Sequence, residues 1–430
     1  MPASPPARSR SLRTGVAFAA IILAVVFLGW MAIVLATGDD DGGNQSENQE
    51  QSQAVEPTRT GPTAGPSPSE PPPVCRVDAR FVAGFMSPQN SDESTAERLE
   101  LMNTDAVTFG GWVRPTERDE YPERVRNAVD DLEGTHDVYR YTVEMSWEGT
   151  DLLDDDAIIH EGDTEYGIVE LENAVVITSS ADGNDPFHSL LRTAPELDAQ
   201  GYIGLPVPQM RTEGDTWLPD NSYADVVDGF NEYFVRAYQE RGADGYYLAM
   251  EMPLTDADHW NPVTDYYGRQ VEIIDDVDAG APVLIAPYLE GRADAATLTP
   301  DTAAAGYQKL LNLGGESEIF VAPQDGLGVG TTALEADDSA EHEYTTEEYF
   351  AALHDVDAEH LYVTIEAMTP GGGDSESRED STRDRVEEQL AAVDAYVQGA
   401  IGYQWAGQNS IAELPHLGRG ACAAGVGELP

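Results

Sequence analysis

From residue 80 onward the chain alternates short apolar runs with longer segments whose apolar positions repeat at helical spacing. The runs are "RFVAGFMS" (80–87), "AVTFGGW" (106–112), "GYIGLPVP" (201–208), "GYYLAMEM" (245–252), "PVLIAPYL" (282–289), "IFVAPQDG" (319–326), "LYVTIEAM" (361–368) and "IGYQWAG" (401–407). Their length and their content of Val, Ile, Tyr and Phe predict buried strands. Segments such as "YADVVDGFNEYFVRAYQERG" and "RDRVEEQLAAVDAYVQG" predict amphipathic helices between them. In "TTEEYFAALHDV", Thr346 is the expected helix N-cap, with acids in the first turn. Strands that alternate with helices pair in parallel, and eight such units close into a barrel. An open doubly wound sheet is the other architecture this pattern allows.

The gap between the second and third strands is too long for a single crossover. It carries strand-like "VYRYTVEM" and "AVVITSS", then a helical stretch around "DPFHSLLRTAPELDAQ". The expected fold is therefore α/β: a (β/α)8 TIM barrel over residues 75–430, with a β-rich insertion between strands 2 and 3.

The N-terminal pattern differs. Gly15 to Ala36 is apolar and uncharged, preceded by Arg8, Arg10 and Arg13 and followed by Asp39, Asp40 and Asp41. About 20 such residues cross a bilayer core. The flanking charges predict a cytoplasmic tail (1–14), a single transmembrane anchor (15–37) and an extracytoplasmic remainder, hence a cell-membrane location. A cleaved signal peptide is the alternative. Residues 38–74, rich in Gln, Ser, Pro and acids, lack the apolar content for a core and predict a disordered linker. The two cysteines, Cys75 and Cys422, flank the folded region. Outside the cell they can join the first and last elements of a barrel as a disulfide, and two unrelated thiols are the alternative.

Charge narrows the partners. With 79 Asp+Glu against 23 Lys+Arg the formal net charge is −56, and Lys309 is the single lysine. The acids recur along the whole chain, which excludes nucleic acid and anionic lipid headgroups as binding partners. Membrane contact is expected only through the N-terminal helix, and no oligomeric state is implied. The eight histidines show no paired-ligand spacing, so no metal is expected. "GLGVG" lacks the strand-to-helix context of a nucleotide loop, and neither Ser87 nor Ser146 lies in a nucleophile elbow, so no cofactor is expected either.

In a barrel the chemistry gathers at the carboxyl ends of the strands. There the pattern places Glu251 (strand four), Gln324 and Asp325 (strand six) and Glu366 (strand seven), with Trp112, Tyr288 and Trp405 ending strands two, five and eight. Trp260 falls in the loop after strand four. A pair of carboxylates across an aromatic-lined cup suits glycoside hydrolysis, one protonating the leaving oxygen and the other attacking the anomeric carbon or activating a water. Glu251 is expected as general acid/base and Glu366 as nucleophile of a retaining mechanism. Asp325 would bind a sugar hydroxyl or tune a glutamate. Gln324, Tyr288, Trp112, Trp260 and Trp405 would contact substrate, their aromatic rings serving as platforms for sugar faces. The rival expectations are a barrel of the cell envelope that binds glycan without cleaving it, a barrel that only presents a surface to protein partners, and glutamates that are merely hydrogen-bonded structural carboxylates.

The pieces "GLP" (204–206), "GYYLAMEM", "LIAPYL", "APQDGLGV" and "YVTIEAM" resemble, in order from about Phe81 to Trp405, the domain of unknown function 4434 family. That family consists of (β/α)8 barrels related to glycoside hydrolases. The resemblance implies the same fold and carries over Glu251, Asp325 and Glu366 as site residues. Strands four and seven are also where retaining barrel glycosidases hold their two carboxylates, and Trp405 occupies the place of a strand-eight tryptophan common in that clan. Met250 departs from the pattern, since that clan commonly has Asn before the strand-four glutamate.

Overall fold

The computed structural model describes residues 81–403, apart from 90, 103, 133, 214–215, 294–297, 336–340 and 370–378, together with residue 429. The expected anchor (15–37) and linker (38–74), with Cys75, Cys422 and Trp405, lie outside the described residues. Among the described residues no helix is long and apolar enough to cross a membrane.

Eight parallel strands form the centre: β1 (Phe81–Met86), β2 (Asp105–Thr108), β3 (Gly201–Gly204), β4 (Gly245–Leu248), β5 (Val283–Ile285), β6 (Ile319–Val321), β7 (Val363–Glu366) and β8 (Ala400–Tyr403). They are ordered β6-β5-β4-β3-β2-β1-β8-β7. The remaining seam is bridged at Val321–Leu361 and Gln324–Thr364. There the Tyr362 N–H reaches the Val321 carbonyl and the Thr364 N–H the Pro323 carbonyl, both at 2.9 Å. The sheet is thus a nearly closed barrel rather than an open doubly wound one. Among the described residues seven helices lie around it: α1 (Asp92–Met102), α2 (Pro186–Thr193), α3 (Ala224–Gln239), α4 (Asn261–Val277), α5 (Pro300–Leu311), α6 (Thr346–His354) and α7 (Arg383–Val393). The cap of α6 is Thr345, not Thr346: its hydroxyl accepts the Glu348 N–H while the Glu348 carboxylate accepts the Thr345 N–H. Thr346 is instead buried, donating to the Asp325 carbonyl at 3.2 Å.

Alternation along the strands sorts the core into two layers. Tyr246, Leu248 and Met250 of the fourth strand face outward and join the large cluster under the helices. Tyr247 and Ala249 face inward, as do Phe85, Val107, Leu284, Ala286, Phe320, Ala322, Tyr362 and Ile401. At the amino end of the barrel Leu429 joins this inner layer, 3% exposed, with its N–H on the Asp105 carboxylate at 3.1 Å.

The insertion supplies five strands of a six-stranded sheet, and the sixth, Val207–Pro208, comes from beyond β3, so the expected third strand 201–208 divides between the two sheets. The strands of this sheet, in spatial order, are Ile158–Glu161, Thr164–Glu170, Ala174–Ala181, Asp137–Tyr141, Trp112–Pro115 and Val207–Pro208. Trp112, expected at the end of strand two, opens an insertion strand instead, and β2 stops at Thr108. The cause lies in the glycines between them: a Cβ on Gly110 would stand 2.0 Å from the Leu205 carbonyl oxygen, so backbone crosses backbone there and leaves the ladder.

One face of the insertion packs on the helix Glu123–Asp131 through Val125, Val129, Val138, Ile159, Ile168, Val175 and Ile177. The other meets α3, where Tyr141 lies 5.3 Å from Phe230 and 5.9 Å from Phe234 between ring centroids. A buried polar knot ties the layers together. Asp185 caps α2, accepts the Tyr238 hydroxyl at 3.0 Å and pairs with Arg241 at 2.7 Å, the two paired side chains being 4% and 7% exposed. Arg241 also donates to the Ser146 carbonyl at 2.8 Å, and Ser146 donates to Glu165 at 3.1 Å.

Candidate active site

Strand parity decides which side chains enter the barrel at its carboxyl rim. Glu251 lies two and four residues beyond the inward Ala249 and Tyr247, and Gln324 lies two and four beyond Ala322 and Phe320. Glu366 follows Tyr362 and Thr364 by the same count and pairs in register with Tyr403, which packs on the inner layer. Tyr288 likewise follows Leu284 and Ala286. The structure therefore brings four of the expected residues onto one inner face across strands four to seven. A direct contact corroborates this: the Gln324 Nε2 donates to Glu251 Oε1 at 3.2 Å and to the Ala286 carbonyl at 3.2 Å, spanning the fifth strand. Glu251, Tyr288 and Gln324 are half-buried, whereas Glu366 is only 1% exposed.

Beneath them lies an aromatic floor that the sequence reading missed. Phe85 stacks on Phe109 at 5.2 Å and meets Tyr247 edge-on at 5.1 Å, and Tyr403 closes the set 6.1 Å from Phe85 and 6.2 Å from Phe109. Applying the period-2 count to each run would have found Tyr247 and Phe85, since both sit below the rim on the inward register. Burial first, then the charge of Glu251, pushes the Tyr247 phenol well above its usual range. Burial likewise raises the Tyr288 phenol, followed by the charges of Glu290 and Glu251. Both phenols therefore stay protonated.

Glu366 owes its burial to the loop after β6. Gly326 (φ +72°) and Gly330 (φ +76°) bracket it in left-handed conformations that glycine adopts without strain. Between them a Cβ on Gly328 would sit 2.5 Å from the Glu366 Cβ, so backbone lies directly on the glutamate. The Val329 N–H then donates to Glu366 Oε2 at 2.9 Å.

Asp325 is 0% exposed. Its Oδ1 accepts the Leu327 N–H at 3.1 Å and the Glu366 N–H at 3.3 Å, and its Oδ2 accepts Gln389 Nε2 at 2.8 Å. With Gln389 on the outer helix layer, Asp325 turns away from the hollow. Of its two expected roles, tuning a glutamate fits this placement and touching a sugar hydroxyl does not.

Burial and then the Glu366 charge raise the Asp325 carboxyl well above its usual range, against three N–H donors that oppose the shift. As pH rises past about 3.9 the unfolded chain releases this proton while the folded one keeps it, so the folded form loses stability toward higher pH. Asp325→Asn removes that dependence. The melting temperature of the variant minus that of the wild type is expected to increase from about pH 4 to about pH 8, and a difference that stays flat or shrinks would refute the assignment.

Two aromatic candidates lie elsewhere. Trp260 is 6% exposed, in a short 3-10 turn (Asp258–Trp260) packed into the cluster under the helices. Trp112 packs against the same cluster from the insertion. Nothing in the sequence around either one distinguishes a platform tryptophan from a packing one. Among the described residues no group of three or more His, Cys, Asp and Glu is arranged to hold a metal ion.

The family model described as "Domain of unknown function (DUF4434)" matches residues 169–415. No curated protein matches the chain. Among solved structures, the chain is similar to a candidate α-L-fucosidase from Bacteroides thetaiotaomicron at 12% identity and a TM-score of 0.47, covering 83% of this chain and 97% of that one. It is similar to a β-galactosidase from the psychrophilic Marinomonas ef1 at 9% identity and a TM-score of 0.41, covering 75% and 53%. For the carboxyl transferase domain of Rhizobium etli pyruvate carboxylase the values are 14% and 0.31, covering 51% and 29%. The chain thus spans about half of the β-galactosidase and less than a third of the carboxylase structure.

Proposed function

The chain belongs to the domain of unknown function (DUF4434) family, and we propose that its barrel rim binds a carbohydrate and hydrolyses a glycosidic bond. The observation that carries the proposal is the convergence of Glu251, Tyr288, Gln324 and Glu366 on one inner face above an aromatic floor. In the retaining reaction Glu251 gives its proton to the glycosidic oxygen as the C–O bond breaks, while a Glu366 oxygen bonds to the anomeric carbon. Water then attacks that carbon, the Glu251 carboxylate takes the water's proton, and Glu366 leaves as a carboxylate. Gln324 orients Glu251, and the Tyr288 phenol donates to a sugar oxygen. The proposal also places the barrel outside the cytoplasm on a single-pass anchor, on the strength of the uncharged run 15–36 between Arg13 and Asp39.

One observation favours a second reading, a barrel that holds glycan without cleaving it. Glu366 lies under the backbone of Gly328 and Val329, whereas a nucleophile has to reach its carbon. Barrels of one fold host many functions, so the site's chemistry has to decide. The full chain is to be screened against neutral and charged polysaccharides at several salt concentrations, reading both retained glycan and released reducing ends. Reducing ends are expected. Retention without them would establish the second reading, and neither would remove both.

A further inference from the structure

We infer that helix α7 sets the orientation of Glu366, with Gln389 and Arg385 as positioning residues that act through the loop between Gly326 and Gly330. The two lie four residues apart and so share one face of the helix, one turn from each other. Arg385 Nη2 donates to the Leu327 carbonyl at 2.8 Å. Gln389 Nε2 donates both to Asp325 Oδ2 at 2.8 Å and to the Glu366 carbonyl at 3.0 Å. The Glu366 N–H is held in turn by Asp325 Oδ1. Both polar groups of the Glu366 main chain are therefore tied to the Asp325–Gln389 pair, and the loop that supplies the Val329 N–H hangs from Asp325 at one point and Arg385 at another.

The choice of residue supports the role. Gln389 is 0% exposed, on a helix whose neighbouring inward positions are Val386, Leu390 and Val393. At such a place an apolar side chain would pack without having to replace hydration, whereas a buried amide costs free energy unless it is bonded. The amide nitrogen grips two acceptors from two different segments, β7 and the loop after β6, while the amide oxygen is buried without a hydrogen-bond partner among the described residues, a cost that a purely packing role would not incur. Packing alone has no need of that geometry.

The inference rests on the hydrolase reading only for its catalytic consequence, so the test reads the loop and the reaction separately. Hydrogen exchange is followed by mass spectrometry on peptides covering 325–332 and, as a control, 201–208. In Gln389→Leu the amides of 326–330 are expected to exchange about tenfold faster, with the control unchanged, because each lost hydrogen bond loosens the loop by up to about that factor. Arg385→Met, which removes the donor to the Leu327 oxygen and leaves Gln389 in place, is expected to give the same localised increase even where Gln389→Leu disturbs the helix. Exchange at 326–330 within about twofold of wild type in both variants would overturn the inference. On a glycan that the wild type turns over, Gln389→Leu is expected to lower kcat by about tenfold with KM within about twofold, and a changed KM at constant kcat would also overturn it. Where the wild type turns over nothing, the hydrolase reading fails and the exchange result still decides the placement.

Discussion

Glu251→Gln is expected to slow hydrolysis by on the order of 10²–10⁴-fold while leaving glycan binding nearly unchanged. Glutamine keeps the shape of the side chain and can still offer its carbonyl to Gln324 Nε2, so the rim should hold its geometry. What it lacks is the proton for the leaving oxygen. An aryl glycoside, whose leaving group needs little protonation, should therefore recover most of its first-step rate in Glu251→Gln and none in Glu366→Gln. Equal losses on alkyl and aryl substrates would reject Glu251 as the acid. Unaltered turnover in Glu366→Gln would reject the nucleophile and leave Glu366 as a structural carboxylate held by Val329.

Arg241→Met is expected to destabilise the fold by about 3–5 kcal/mol, the usual cost of leaving one member of a buried ion pair alone. Neither side chain of the Arg241–Asp185 pair is more than 7% exposed, so solvent cannot take over the stranded charge. Methionine fills much of the arginine's volume, and the cavity contribution is thus small. The losses are electrostatic and local: the Asp185 carboxylate keeps only neutral donors such as the Tyr238 hydroxyl, and the Ser146 carbonyl loses its guanidinium partner. Because the same knot joins the insertion to α2 and α3, cleavage of the insertion by a protease should accelerate in parallel with the fall in the urea midpoint. Asp185→Asn added to Arg241→Met should return part of the loss, since no unpaired charge then remains. A cost below about 1 kcal/mol for Arg241→Met would show that the pair contributes no more than a surface contact.

All eight barrel strands were legible in the sequence because each buries both faces and so reads as a continuous apolar run with turn residues beyond it. The rim residues were legible for the same reason. A carboxylate such as Glu366 directly after Val363–Ile365 conflicts with burial, and the conflict marks the site. What escaped was whatever depends on contacts between distant segments. Gln389 sits in an ordinary helical pattern, and only the fold shows that it reaches Asp325 and the Glu366 carbonyl. The tryptophans failed in the opposite direction: a ring in a loop after a strand can turn to the hollow or to the helices, and Trp260 turns to the helices. The end of β2 was misplaced because Gly110 and Gly111 extend an apolar run by composition while the crossing backbone of Leu205 diverts the chain.

The seat of Leu429 has a practical bearing on how the protein can be handled. Its side chain corks the amino-end mouth of the cylinder, and its amide is moored to Asp105 of the second strand. A purification handle or reporter fused immediately after that leucine would add bulk beside the cork and strain the tie to Asp105, at the base of the very strands whose opposite ends carry the rim. Loss of Leu429 would open the base of the cylinder to water.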